Sequence, residues 1–275
     1  MNKYPFNRIL LATEHTEFDV GAERLAFAMA KRCGLPLMVV VPMLDNPEYE
    51  AEMPEMVLRD EREIAGKIAA LNKQADAAGV KLDVRVRRSA EIHSGIVAEA
   101  VESKADLIVI RRRGKPSFLA RLLVGEMVSK VIRDTSCNVL LVPRAAEFWD
   151  KHILAAVGDT TAAASIAKTA GTIAGICELP LTVLSVAPDS NPDAMAKTKG
   201  LNAANVALAA KASNQVRGEV RVGNAVTQTV AAAKELGADL VVIGRQRYHV
   251  IPFGNQGNMQ NIAGNMDVPT LIVSA

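Results

Sequence analysis

Ala105-Asp106-Leu107-Ile108-Val109-Ile110 recurs 133 residues later as Ala238-Asp239-Leu240-Val241-Val242-Ile243. A second pair, Cys33-Gly34-Leu35-Pro36-Leu37 and Cys177-Glu178-Leu179-Pro180-Leu181, lies 144 residues apart. Matching segments in the same order at similar offsets mean a duplicated domain, not a short-period solenoid. The chain therefore divides into residues 1–144 and 145–275, each folding on its own and each able to carry its own copy of a site.

Each half reads as alternating strands and helices. In the first, residues 9–12, 37–41 and 107–110 are short runs apolar at every position. Residues 82–87 alternate, as a half-exposed strand does, and 139–142 close the set. Helices are expected at 19–33, up to about 78, at 91–103 with Ser89 as its cap, and at 126–134. The second half repeats the order, with strands at 153–157, 181–186, 219–222, 240–243 and 270–273. Its helices are expected at 161–176, 194–213, 225–236 and 258–265. Fully apolar inner strands with helical crossovers belong to a parallel sheet covered on both faces. The expected fold is α/β: two repeated doubly wound domains, each a mostly parallel five-stranded sheet. Residues 143–151 form the linker, and the single tryptophan there, Trp149, reads as a packing anchor.

The bulk numbers narrow the function. The 275 residues are 49% hydrophobic and only 4% aromatic, which gives each half an aliphatic core. Basic and acidic side chains number 22 and 20 in the first half and 10 each in the second, so neither half has the basic excess of a nucleic-acid binder. Arg85, Arg87 and Arg88 with Arg111–Arg113 are the densest cations, and no aromatics interleave with them; they read as a solvated or acid-facing surface. Three cysteines without a CxxC pair argue against a disulfide framework, and no signal peptide or membrane-length apolar run is seen, so a cytoplasmic protein is expected. The four histidines form no HxH or HxxxH pair, and no metal site is expected; His93 reads as a surface residue. No catalytic residues are assigned, because no nucleophile elbow, Walker A loop or Cys–His pairing occurs.

The stretch from Arg113-Gly114-Lys115 through Arg121-Leu122-Leu123-Val124-Gly125-Glu126, followed by Val128-Ser129-Lys130-Val131-Ile132 and by Cys137-Asn138-Val139-Leu140-Leu141-Val142-Pro143, resembles the universal stress proteins. The resemblance extends over both halves, as in a tandem universal stress protein. It implies a pseudo-twofold pairing of residues 139–142 with 270–273 as an intrachain pseudo-dimer, and a stress-survival role without chemistry of its own. It also implies ATP or another adenine nucleotide held by a loop of the form G-x2-G-x9-G-(S/T), with an acid after the first strand. Glycines admit phosphate oxygens close to the backbone, and the following helix N-terminus offers free N–H groups.

Both halves depart from that pattern. In the first, Arg111 replaces the first glycine, Glu14 replaces the acid, and Glu126 replaces the hydroxyl residue. A carboxylate at a helix N-terminus gains roughly 0.3–1 kcal/mol from the dipole and repels phosphate, so Glu126 is expected to close this half to nucleotide. The second half keeps Gly244 and Gly257, substitutes Arg247 and Asn258, adds Gly254, and carries Asp159 one place from the family's position. Asp159, Gly244, Arg247, Gly254, Gly257 and Asn258 are the expected nucleotide-binding residues, in the second half only. The rival readings are a slow ATPase and a ligand-free protein-interaction scaffold. The partner protein is unidentified, no membrane contact is expected, and association into a homodimer is a further expectation.

Overall fold

The computed structural model describes residues 4–45, 53–112, 125–245 and 258–274. Their strands are β1 (Ile9–Ala12), β2 (Leu37–Leu44), β3 (Leu82–Ser89), β4 (Leu107–Arg111) and β5 (Asn138–Val142) in the first half. The second half has β6 (Ile153–Ala156), β7 (Leu181–Ala187), β8 (Val216–Val222), β9 (Leu240–Gly244) and β10 (Thr270–Val273). The helices are α1 (Val20–Cys33), α2 (Pro54–Ala78), α3 (Ile92–Glu102) and α4 (Glu126–Asp134), then α5 (Ala163–Cys177), α6 (Pro192–Ala209), α7 (Ala225–Glu235) and α8 (Asn258–Asn265).

Each half is a parallel five-stranded sheet, ordered β3-β2-β1-β4-β5 in the first and β8-β7-β6-β9-β10 in the second. The two sheets join edge to edge into ten strands through one antiparallel pair, β5 with β10, in which Leu140 faces Leu271. That is the pairing implied by the resemblance. It covers two strands that are apolar after their first residues, Asn138 and Thr270, and that would otherwise be exposed edges. One buried cluster lies on each face of the sheet, and both run through the seam. Trp149 is only 2% exposed, stacks on Phe148 at 4.2 Å between centroids and belongs to the larger cluster, so the linker is anchored into the core. Cys33 and Cys177 also pack against that cluster, and burial pushes the Cys33 thiol up to about 11.

The outer edges are β3 and β8, and both are charged. Arg87 donates to Glu99 at 3.0 Å and to Glu102, and Arg85 reaches Glu99 at 3.2 Å. On β8, Arg221 pairs with Glu219 at 2.5 Å and Glu235 at 2.6 Å. Arg85 and Arg87, read from the sequence as part of an acid-facing patch, thus find acids within the chain. They protect the sheet edge against strand addition.

The recurring Ala-Asp-Leu motif has a direct role. Asp106 accepts from the backbone N–H of Asn7 at 2.8 Å and of Arg8 at 3.0 Å, just before β1. Asp239 accepts from Asp150, Lys151 and His152 at 2.7, 2.9 and 3.0 Å, just before β6. Each carboxylate satisfies the donors of the chain as it enters the central strand. Hydrogen bonds to a charged group contribute about 1.5–3 kcal/mol each when both partners leave water, and these are partly exposed. Asp239→Ala is expected to destabilise the protein by about 2–3 kcal/mol, more than Asp106→Ala, as read from urea unfolding midpoints.

Four local expectations change. Ser89 does not cap α3; its hydroxyl donates to the Glu91 carbonyl at 2.7 Å. His93 is held at the surface and not freely exposed: its side chain is 13% exposed, with Nδ1 2.9 Å from Glu91 and Nε2 3.5 Å from Asp134. Strand β2 runs on to Leu44 because β3 offers partners as far as Ser89. Strand β8 starts at Val216 rather than 219, through Gly218. A Cβ at Gly218 would meet the buried Asn202 amide at 2.3 Å, and that amide donates to the Val183 carbonyl at 2.8 Å.

Candidate functional site

Open α/β sheets bind ligands at the carboxyl ends of the strands, where the strand order reverses. That point lies between β1 and β4 in the first half and between β6 and β9 in the second. The two places are built from the same elements and have opposite character.

In the first half Arg111, the last residue of β4, turns its guanidinium into the switch point. Nη1 donates to Thr16 Oγ1 at 2.8 Å and to Asp19 Oδ2 at 3.0 Å, and Nη2 donates to Glu14 Oε2 at 2.8 Å. Thr16 also donates through its hydroxyl and its backbone N–H to Asp19, at 2.6 and 2.9 Å. The Arg111 side chain is 8% exposed and that of Asp19 1%. A second cluster lies beside it. Thr13 donates to the buried Glu23 at 2.7 Å, and His15 Nδ1 lies 3.0 Å from the same oxygen. His15 takes φ +50°, a left-handed backbone uncommon for a residue other than glycine. Glu126 stands at the first position of α4 with its side chain 85% exposed and 3.5 Å from Lys130. The filling of this site therefore comes from Arg111 and not, as the sequence suggested, from Glu126.

In the second half the corresponding residues are small or apolar. Asp19 is the N-cap of α1 and Ala162 the N-cap of α5. Four residues on, Glu23 is matched by Ile166. Gly244 ends β9 as Arg111 ends β4. A Cβ at Gly244 would lie 2.8 Å from Ile166 Cδ1 and 3.0 Å from Ala162 Cβ, so the start of α5 packs directly on the glycine. With no side chain there, a cavity of about 120 Å³ remains. Its walls include Ala156, Gly158 and Thr160 after β6, Gly244 and Arg245 after β9, and Met259 and Ile262 of α8.

The expected site residues divide as follows. Gly244 lines the cavity, and Asn258 begins the helix that walls it. Asp159 lies between two lining residues, yet its own carboxylate is 69% exposed and pairs with Lys197 at 2.5 Å. That pairing raises the Lys197 pKa. Arg247, Gly254 and Gly257 lie outside the described residues. Sequence reasoning missed Thr160 as a lining residue, Lys197 as the partner of Asp159, and the apolar walls. The spacing of small residues after β6 was the available signal for the first. Among the described residues, no group of three or more histidine, cysteine or acidic side chains is arranged to hold a metal ion.

The chain is a duplicated α/β fold with the strand order 3-2-1-4-5 in each half and a cavity at the switch point of the second. The universal stress protein family matches residues 5–143 and again 151–274, and the chain belongs to that family. A universal stress protein of Methanocaldococcus jannaschii is 28% identical over 145 residues, spanning 50% of this chain and 83% of its own. Among solved structures, a universal stress protein from Archaeoglobus fulgidus superposes with a TM-score of 0.71 at 18% identity, covering 98% of this chain and 97% of that one. A functionally unknown protein from Pseudomonas aeruginosa gives 0.71 at 19% identity, covering 98% and 93%. At such identities the solved structures establish the shared two-domain fold. Among the described residues, no helix is long and apolar enough to cross a membrane.

Proposed function

We propose that this chain is a non-enzymatic stress-response factor whose second half binds an adenine nucleotide, ATP or a relative of it, and whose first half does not. The observation that carries this reading is the contrast at the two switch points: a guanidinium fills one, and an apolar-walled cavity bounded by Gly158, Thr160 and Gly244 occupies the other. Typical ligand pockets measure roughly 300–1,000 Å³. A space of about 120 Å³ suits the flat base alone, leaving the ribose and phosphates to extend outward. The N-terminus of α8, beginning at Asn258, offers the N–H groups and partial positive charge that phosphate requires. Asp159, Arg247, Gly254 and Gly257 complete the proposed set, with Asp159 released from Lys197 toward the sugar at small cost, since exposed ion pairs contribute little.

Calorimetric titration with AMP, ADP and ATP tests the proposal. Saturation at one nucleotide per chain is expected. Ala156→Leu, which fills the cavity, should weaken binding more than tenfold, while Glu14→Gln should leave it unchanged. Flat titrations with all three nucleotides would remove the reading. They would favour the scaffold alternative, for which the exposed Leu44, Met53 and Leu58 near the start of α2 are the supporting observation. Phosphate release from ATP above a blank, abolished by Ala156→Leu, would favour the slow ATPase.

A further inference from the structure

Arg112 and Arg245 directly follow β4 and β9, and they cross the β5–β10 seam in opposite directions. Arg112 Nη1 donates to the carbonyls of Gly264, at 3.0 Å, and Met266, and Nη2 lies 3.4 Å from Asp267. Arg245 Nη2 donates to the Cys137 carbonyl at 2.6 Å and Nη1 to that of Thr135. A helix C-terminus presents unpaired carbonyls and a partial negative charge. Arg112 thus holds the end of α8, and Arg245 holds the residues that directly follow α4.

The two clamps differ in consequence. Helix α8, held by Arg112, carries Met259 and Ile262 of the cavity wall, and its opposite end is the proposed phosphate site. It has only 8 residues, too few to be stable without tertiary support. Arg245, held by the first half's carbonyls, is itself a cavity wall. The first half's own switch point is filled by Arg111. We infer that the first half serves as the positioning partner of the site in the second: Arg112 sets α8, and the carbonyls of Thr135 and Cys137 set Arg245. This rests on the proposed reading of the second half as a nucleotide site. Arg112 is a positioning residue, since it touches α8 and lies outside the cavity lining.

The test uses AMP and the full chain. Arg112→Gln removes the charge and should weaken AMP binding about tenfold, whereas Arg112→Lys keeps it and should stay within about threefold of wild type. Lys73→Gln, which removes an exposed cation on α2 away from the seam, should change nothing. Because coupling is reciprocal, AMP bound to the wild type should slow amide exchange in residues 131–137 of the first half. This second readout decides the matter even if Arg112→Gln fails to fold. AMP affinity unaltered in Arg112→Gln, or protection confined to the second half, would overturn the inference while leaving the nucleotide site standing. No AMP binding by the wild type would overturn the site reading, and the inference with it.

Discussion

Arg111→Ala is expected to lower the unfolding free energy by about 3–5 kcal/mol, the largest single-residue effect outside the apolar core. The guanidinium neutralises Asp19, whose side chain is 1% exposed, and Glu14 at the same time. Removing it strands a carboxylate in a place water does not reach. The cost is mostly that of an unpaired buried charge, so removing both partners should hurt less than removing one. Arg111→Ala combined with Asp19→Ala is expected to recover about 1–3 kcal/mol relative to the sum of the single changes. A double-mutant cycle from urea unfolding measures this. A loss below about 1 kcal/mol for Arg111→Ala would show that Asp19 is solvated and the switch point open. Restoring the family's glycine with Arg111→Gly should not create a nucleotide site, because Glu14, Asp19 and Glu23 would then face the phosphates unneutralised.

The second large effect is steric. Gly171 and Gly175 lie one turn apart on α5, where the chain leaving α6 crosses closely. A Cβ at Gly175 would stand 1.8 Å from the Ala212 carbonyl oxygen, and one at Gly171 would stand 2.6 Å from that of Ala209. The obstructing atoms are backbone, so no rotamer change relieves the clash, and the helix must back away. Gly175→Ala is expected to cost about 3 kcal/mol, at the upper end of overpacking effects. Helix propensity would favour the alanine by about 1 kcal/mol, and here it loses to the clash. Gly200 on α6 supplies the control, because a Cβ there meets nothing within 4 Å. Gly200→Ala should stabilise by up to about 1 kcal/mol. Thermal unfolding of the two variants should therefore move in opposite directions.

Much of the fold could be read from the chain because the signals were local. Residues 9–12 and 107–110 are apolar at every position, and both proved to be central strands. The recurrence of Asp106 and Asp239 was visible in the chain, whereas the backbone each one binds lies 98 to 99 residues away in the first half and 87 to 89 in the second. The alternation in residues 82–87 marked a half-exposed strand, and β3 proved to be an outer edge of the sheet. Features set by partners were not legible. Residues 42–44 extend β2 only because β3 pairs with them. Strand β8 starts at Val216 and not at 219 because Gly218 makes room for Asn202. At the candidate site, both Arg111 and Glu126 stood out as departures from the family pattern. Which of them points inward depends on where each backbone aims its side chain, and the strand end aims in while the helix start aims out. The cross-seam clamps of Arg112 and Arg245 depend on β5 pairing with β10 in one register, which no local pattern encodes.

The central claim is that one half of this duplicated chain has filled its own switch point while the other has kept its switch point open. A crystal structure of the full chain grown with AMP tests it most directly. The account predicts one nucleotide, its base between Gly158, Thr160 and Gly244, with Arg111 still bridging Glu14 and Asp19. A nucleotide in the first half with Arg111 displaced would contradict it, as would a second-half cavity that stays empty at saturating AMP.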